Sequence, residues 1–426
     1  MNHDILKRVI FDQHEVIQGA EIVARSYEFE PNANYALVGL RRAGKSTMLY
    51  KIARDLVAGG AAWCQIIYVN FEDDRLLGFT SHDFADIVEI AYELAGSRQV
   101  YFFLDEIQIV DGWEHFARRL ADQGHRAFIT GSNAKMLSSE IASTLGGRYI
   151  QKMIMPFSFS EVLDYKGTPH DSAAMLTTSK AVAVKTACKE YLKHGGLPEA
   201  LRMRDKREYI KSVYEHVLLG DIIEREKVKN KLALRLMVKK IAETVMSEVS
   251  FSTLAGNIKA SGVKTSTDSM IEYASHAERA FLLFRTRNFV ASFAEKEGLP
   301  RFYFFDNGLL SLFLLDKPSA LLENAVALHL KRNAGEEIYY YKSRKTGVDV
   351  DFFLPESGTA IQVAYSLAEA EEREVKSLVT LAEKVASVKH LVIVTSEEKR
   401  TITRGEHKID VVPIDEFLAD GGGLLA

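Results

Sequence analysis

The segment Gly39-Leu40-Arg41-Arg42-Ala43-Gly44-Lys45-Ser46, followed by Thr47, constrains this chain more than any other. It fits the pattern G-x-x-x-x-G-K-[ST] in full. The apolar run Tyr35–Val38 stands before it, and a helix is expected from about Lys45. The glycines let the backbone curl so that successive N–H groups point inward at one place. The following helix adds partial positive charge there. A strand, such a loop and a helix in that order belong to an α/β architecture.

The surrounding sequence agrees. Ile66–Val69, Val100–Leu104 and Ala127–Thr130 are further short apolar runs with amphipathic stretches between them. Strands buried on both faces and alternating with helices predict a parallel sheet. The loop chemistry then points to a nucleoside triphosphate, and ATP with Mg²⁺ is the expected pair. Lys45 suits the β- and γ-phosphates as a point charge, and the Ser46 hydroxyl is a hard oxygen for Mg²⁺. The run Val100–Leu104 ends in Asp105-Glu106. Asp105 is expected to hold Mg²⁺ through water, and Glu106 to polarise an attacking water. After Ala127–Thr130, Ser132 or Asn133 is the candidate for a polar group between phosphate and water. The bland alternative is a helix cap. Leu145-Gly146-Gly147-Arg148 offers an arginine finger for a neighbouring subunit's site, or a surface arginine paired with a carboxylate.

Composition limits the alternatives. At 426 residues the chain is too long for one ordinary core. A 47% hydrophobic and 26% charged balance excludes a disordered polymer. The net charge of −4 supplies no global attraction to DNA or anionic lipid. Two distant cysteines, Cys64 and Cys188, fit neither a disulfide framework nor a zinc site, and favour a reducing compartment. No apolar run is long enough to span a bilayer, and the start, Met1-Asn2-His3-Asp4, lacks the look of a signal peptide. The cytoplasm is the expected location, without a membrane partner.

Further segments make the pattern more specific. They are Gly39–Thr47, Tyr68–Asp73, Leu104–Gln108, Thr130–Ser132, Gly147-Arg148, Pro156–Phe159 and Gly195–Glu199. In this order they resemble a group of bacterial and archaeal AAA-type ATPases. Members carry a C-terminal domain of unknown function similar to restriction-endonuclease-like folds. The resemblance implies a P-loop ATPase core over 1–166, a helical lid over 167–240 and a winged-helix-like segment over 241–318. A small α/β endonuclease-like domain over 319–426 would follow. It also implies that the Gly-x-Pro turn, Gly196 and Pro198, lies near the adenine, against the plainer reading of a helix-breaking turn.

Three regions bear on partners. Between Arg202 and Lys240 twelve basic side chains face six acidic ones, a stripe able to follow a phosphate backbone or to act as a solvated helix face. Ser252 to Thr267 reads as helix-turn-helix, with Lys264, Thr265, Ser266 and Thr267 at the start of the second helix. In the last domain Glu323 and Asp351 resemble nuclease metal ligands, yet Gln362-Val363-Ala364 stands where an acid and a lysine are needed. Lys376 is a poor stand-in, and nuclease activity is not expected. The function expected is ATP hydrolysis driving conformational change, on DNA or RNA, with a homo-oligomer as a further possibility. The alternative is a nucleotide-controlled switch acting on a protein partner.

Overall fold

The computed structural model describes residues 2–131, 144–292, 298–368 and 370–419. The chain divides into two compact units, 1–155 with 279–281, and 156–278 with 282–426.

The first unit is built on five strands. They are β1 (Asn34–Val38), β2 (Ile66–Asn70), β3 (Tyr101–Asp105), β4 (Arg126–Gly131) and β5 (Tyr149–Met153). All pair in parallel, in the order β2-β3-β4-β1-β5. The helices α1 (His3–Gly19), α2 (Lys45–Ala58), α3 (Phe84–Ala95) and α4 (Trp113–Asp122) accompany them. Strands β1 to β4 are buried almost throughout, as their unbroken apolar runs require. Rings fix the register. Tyr68 stacks on Phe103, Phe103 on Phe128 and Phe128 on Tyr35, each at a directly paired position. A slip by one residue would turn this row to the opposite face, so the row also sets which residues end each strand side by side. Parallel strands place all carboxyl ends on one sheet edge, and the loops there form the site.

The second unit begins with helices: α5 (Phe159–Tyr165), α6 (Ser172–Met175), α7 (Thr178–His194), α8 (Lys206–His216) and α9 (Lys231–Glu243), with a π-helical segment at Val217–Glu224. The segment read as helix-turn-helix holds two helices, α10 (Phe251–Ala260) and α11 (Thr267–Arg279), with a turn between them. Its second helix starts later than expected. Lys264, Thr265 and Ser266 lie in the turn, where the Ser266 hydroxyl accepts the Ser269 N–H as a cap.

Eight strands follow in one mixed sheet: β6 (Leu283–Asn288), β7 (Arg301–Phe304), β8 (Tyr339–Ser343), β9 (Val348–Leu354), β10 (Thr359–Val363), β11 (His390–Thr395), β12 (Arg400–Arg404) and β13 (His407–Pro413). The order is β12-β13-β11-β10-β9-β8-β6-β7. With them run α12 (Asn307–Ser311), α13 (Pro318–Ala334), α14 (Glu371–Lys384) and α15 (Ile414–Ala419). Strand β6 pairs with β8, so the sheet runs across the expected boundary at 318/319. The final hairpin, β12 and β13, goes beyond the elements read from sequence. Its Ile409 and Val411 join Val350, Phe353, Leu378 and Ile393 in one core.

The candidate nucleotide site

The loop from Gly39 to Gly44 joins β1 to α2 and is shaped by close approach. A Cβ on Gly39 would sit 2.2 Å from the Ile154 carbonyl oxygen, so no other residue fits. Gly44 stands at φ 97° and caps α2 with no side-chain hydrogen bond, which leaves the first N–H groups of the helix to other acceptors. Arg42 also has positive φ, at 64°. Leu40 and Ala43 are buried beneath the loop, while Arg41 reaches outward and pairs with Glu72 at 3.1 Å. Lys45 is buried, and its ammonium donates to the carbonyls of Gly39 at 3.1 Å and Leu40 at 3.2 Å. Ser46 and Thr47 continue the first turn of α2.

Asp105 ends β3, only 1% exposed. The Tyr68 hydroxyl donates to its Oδ2 at 2.8 Å, and the Thr130 hydroxyl to its Oδ1 at 2.5 Å. Ser46 hydrogen-bonds the same carboxylate, so the two expected metal ligands are neighbours. Burial, then the charge of Glu106, pushes the Asp105 carboxyl above the usual carboxylate range, and the three hydroxyls pull it back. A hydroxyl and a carboxylate side by side are hard oxygen donors and fit Mg²⁺. Glu106 turns out of the strand at φ 53° and begins a 3₁₀ turn, Ile107–Ile109. Its N–H donates to Thr130 Oγ1 at 2.9 Å, and Gln108 Nε2 donates to its Oε2 at 2.5 Å.

Thus Lys45, Ser46, Asp105 and Glu106 share one sheet edge. Three residues that sequence reasoning did not single out hold them. Thr130 supports both acids at once. Tyr68 reaches Asp105 from the next strand. Arg25 clamps the loop by donating to the carbonyls of Ala43 at 3.2 Å and Met155 at 2.7 Å. Tyr68 and Thr130 lay within the quoted segments, yet only the strand register shows what they touch.

The other expected residues lie as follows. Ser132 and Asn133 are outside the described residues. Arg148 forms an ion pair with Asp122 of its own chain, with 31% of its side chain exposed. Gly196 and Pro198 belong to the second unit. The Gly196 carbonyl accepts the Phe157 N–H at 2.7 Å, and its N–H donates to Asp306 Oδ2 at 2.7 Å. Pro198 stands before the 3₁₀ turn Glu199–Arg202. In the basic stripe, Lys206, Arg225, Arg235 and Lys240 are in ion pairs with Glu190, Asp221, Glu215 and Glu243. Among the described residues no helix is long and apolar enough to cross a membrane.

Residues 31–163 match a family described as an AAA domain. Residues 185–320 and 319–417 match two domains of unknown function, DUF8612 and DUF4143. An uncharacterized protein of Methanocaldococcus jannaschii is 31% identical, over 96% of this chain and 94% of its own length. One of Haemophilus influenzae is 29% identical, over 78% and 82%. Among solved structures, the Walker-type ATPase PABY2304 of Pyrococcus abyssi is 14% identical with a TM-score of 0.40, covering 70% of this chain and 99% of that one. The Aeropyrum pernix ORC1 protein, solved in complex with DNA, is 16% identical with a TM-score of 0.29, covering 77% and 93%.

Proposed function

The chain belongs to the same family as the Methanocaldococcus jannaschii protein and carries an AAA-type P-loop core, and from that premise we propose that it binds ATP with Mg²⁺ and hydrolyses it. One observation carries the reading. A complete P-loop, the buried Asp105 beside Ser46, and Glu106 just beyond it meet at one edge of a parallel sheet.

Each part has a task. The N–H groups from Gly39 to Thr47 bind the phosphates, and Lys45 adds a charge that is already buried and oriented. Ser46 and Asp105 would hold Mg²⁺, which when bound neutralises phosphate charge. Glu106 is placed to orient a water and accept its proton. Ser132 and Asn133 stay as alternatives for a phosphate-sensing group, from their place in sequence after β4, and Gly196 and Pro198 as the adenine side, on family resemblance. Hydrolysis would drive conformational change on DNA or RNA. The stripe from Arg202 to Lys240 is the surface for it, and the helix-turn-helix a second candidate.

One observation favours a second reading, a nucleotide-controlled switch acting on a protein. Four of the stripe's cations are already paired within the chain, which lowers the charge left for phosphates. ATPase assays separate the readings. Lys45→Ala should abolish nucleotide binding, and Glu106→Gln should bind ATP without turning it over. Equal turnover by wild type and Glu106→Gln removes Glu106 from its role. Faster turnover with DNA or RNA at low salt supports the first reading, and no change supports the switch.

A further inference from the structure

The backbone of Glu106 is held at both ends. Its N–H donates to Thr130 Oγ1 at 2.9 Å, and its carbonyl accepts the Ile109 N–H at 3.1 Å, which closes the 3₁₀ turn. Ile107, fully buried, anchors that turn in the core. These bonds fix the backbone and leave the carboxylate free to swing. A glutamate side chain has three rotatable bonds, whereas a base must aim its lone pair at one place. The neighbouring Asp105 carboxylate adds the repulsion of a like charge.

Gln108 supplies the hold that the backbone does not. Its Nε2 donates to Glu106 Oε2 at 2.5 Å, and among the described residues no other side chain bonds that carboxylate. Two features show that the fold keeps this arrangement against a penalty. The Gln108 Oε1 is buried, with no hydrogen-bond partner among the described residues. A buried amide oxygen left unpaired costs stability, and turning the amide over would set that oxygen against a carboxylate instead. Glu106 itself stands at φ 53°, in the left-handed region that a residue with a Cβ seldom takes. Strain and an unpaired polar atom two residues apart are what a working site tolerates and plain packing does not.

We propose that Gln108 is the positioning residue of the base: its amide holds the Glu106 carboxylate in the orientation that receives the proton of the attacking water. This role rests on the reading of Glu106 as that base. Gln108 acts through Glu106 alone, so its loss slows turnover and leaves ATP affinity as it was.

The test is steady-state ATP hydrolysis by the full chain, beside equilibrium binding of a fluorescent ATP analogue. Gln108→Met keeps the length and removes the donor. It should lower kcat by about 10- to 100-fold, the usual cost of a misplaced catalytic group, with affinity unchanged. Gln108→Glu keeps the shape and sets a second carboxylate against the first. One proton shared by the pair restores a donor, so the ratio of its turnover to that of wild type should rise as the pH falls from about 8 to about 6. A wild-type kcat in Gln108→Met overturns the proposal. So does a loss of kcat and affinity together, or a Gln108→Glu ratio that stays flat with pH. If Gln108→Met is unfolded, the Gln108→Glu ratio decides alone. Wild-type turnover no faster than that of Glu106→Gln removes the base itself, and this role with it. Gln108→Met as fast as wild type, beside an inactive Glu106→Gln, removes only the role of Gln108.

Discussion

At the scale of single residues, the candidate site depends on side chains outside the Gly39–Thr47 loop. Thr130 uses one hydroxyl twice, donating to Asp105 and accepting the Glu106 N–H. It therefore fixes the carboxylate proposed for the metal and the turn that carries the proposed base. Removing the hydroxyl while keeping the shape isolates that effect. Thr130→Val should leave the fold intact and lower Mg²⁺-dependent turnover by about 10- to 100-fold, the usual cost of losing such a support. Steady-state assays across Mg²⁺ concentration check it. A variant as active as wild type would mean that Tyr68 and Ser46 hold Asp105 without help. Arg148 belongs to the same scale. Its bond to Asp122 is a surface ion pair, worth about 0–1 kcal/mol, so it does not bar another use of the guanidinium.

At the scale of elements, α13 carries a marker of its own burial. His329 lies on its covered face, against the Phe417 ring of α15. Burial, with the charge of Arg332 second, holds its imidazole down at about 4, against an ordinary value of 6.5. The sign follows from which state binds the proton. Above pH 6.5 the ring is neutral in both states, and its packing contributes fully. As the pH falls toward 4, the unfolded chain takes up a proton that the folded one refuses, and stability is lost. The shift corresponds to at most about 3 kcal/mol for this one group. Thermal melts at pH 7.5 and 5 should show a larger acid loss in wild type than in His329→Phe. Equal acid losses would show that this ring does not contribute.

At the scale of the molecule, the question is whether a second copy completes the site. We propose that Arg148 acts on a neighbour's nucleotide, on the strength of the Gly146-Gly147-Arg148 pattern and its family likeness. Arg148→Ala and Glu106→Gln should each be inactive alone. Mixed, with subunit exchange shown independently, they should recover part of the wild-type rate, because some interfaces then combine a sound Arg148 with a sound Glu106. Exchange without recovery would assign Arg148 to its own chain. The two units frame the same question differently. Family boundaries fall at 319–320, whereas hydrogen bonding carries one sheet from β6 through β13. A cut at that boundary would break the pairing of β6 with β8.

The sequence by itself determined the strand–loop–helix unit at Gly39–Thr47, the parallel sheet around it, and the acids after β3. These are local matters. Backbone curvature at glycines, apolar runs and a charged pair after a strand are all set by neighbours along the chain. It also foretold the core of the C-terminal sheet, for instance Val348–Leu354 and His390–Thr395, because buried strands announce themselves. Tertiary structure alone decided what touches the acids. Strand register placed Thr130 and Tyr68 on Asp105 across different strands, and no spacing in the sequence carries register between strands so far apart. Chain folding likewise brought Arg25 onto the phosphate loop. It also set Arg301 between Asp349 and Asp351, some fifty residues further along the chain. A buried cation is invisible in sequence, since an arginine reads there as a surface residue, and only packing reveals that its solvent has been replaced by carboxylates.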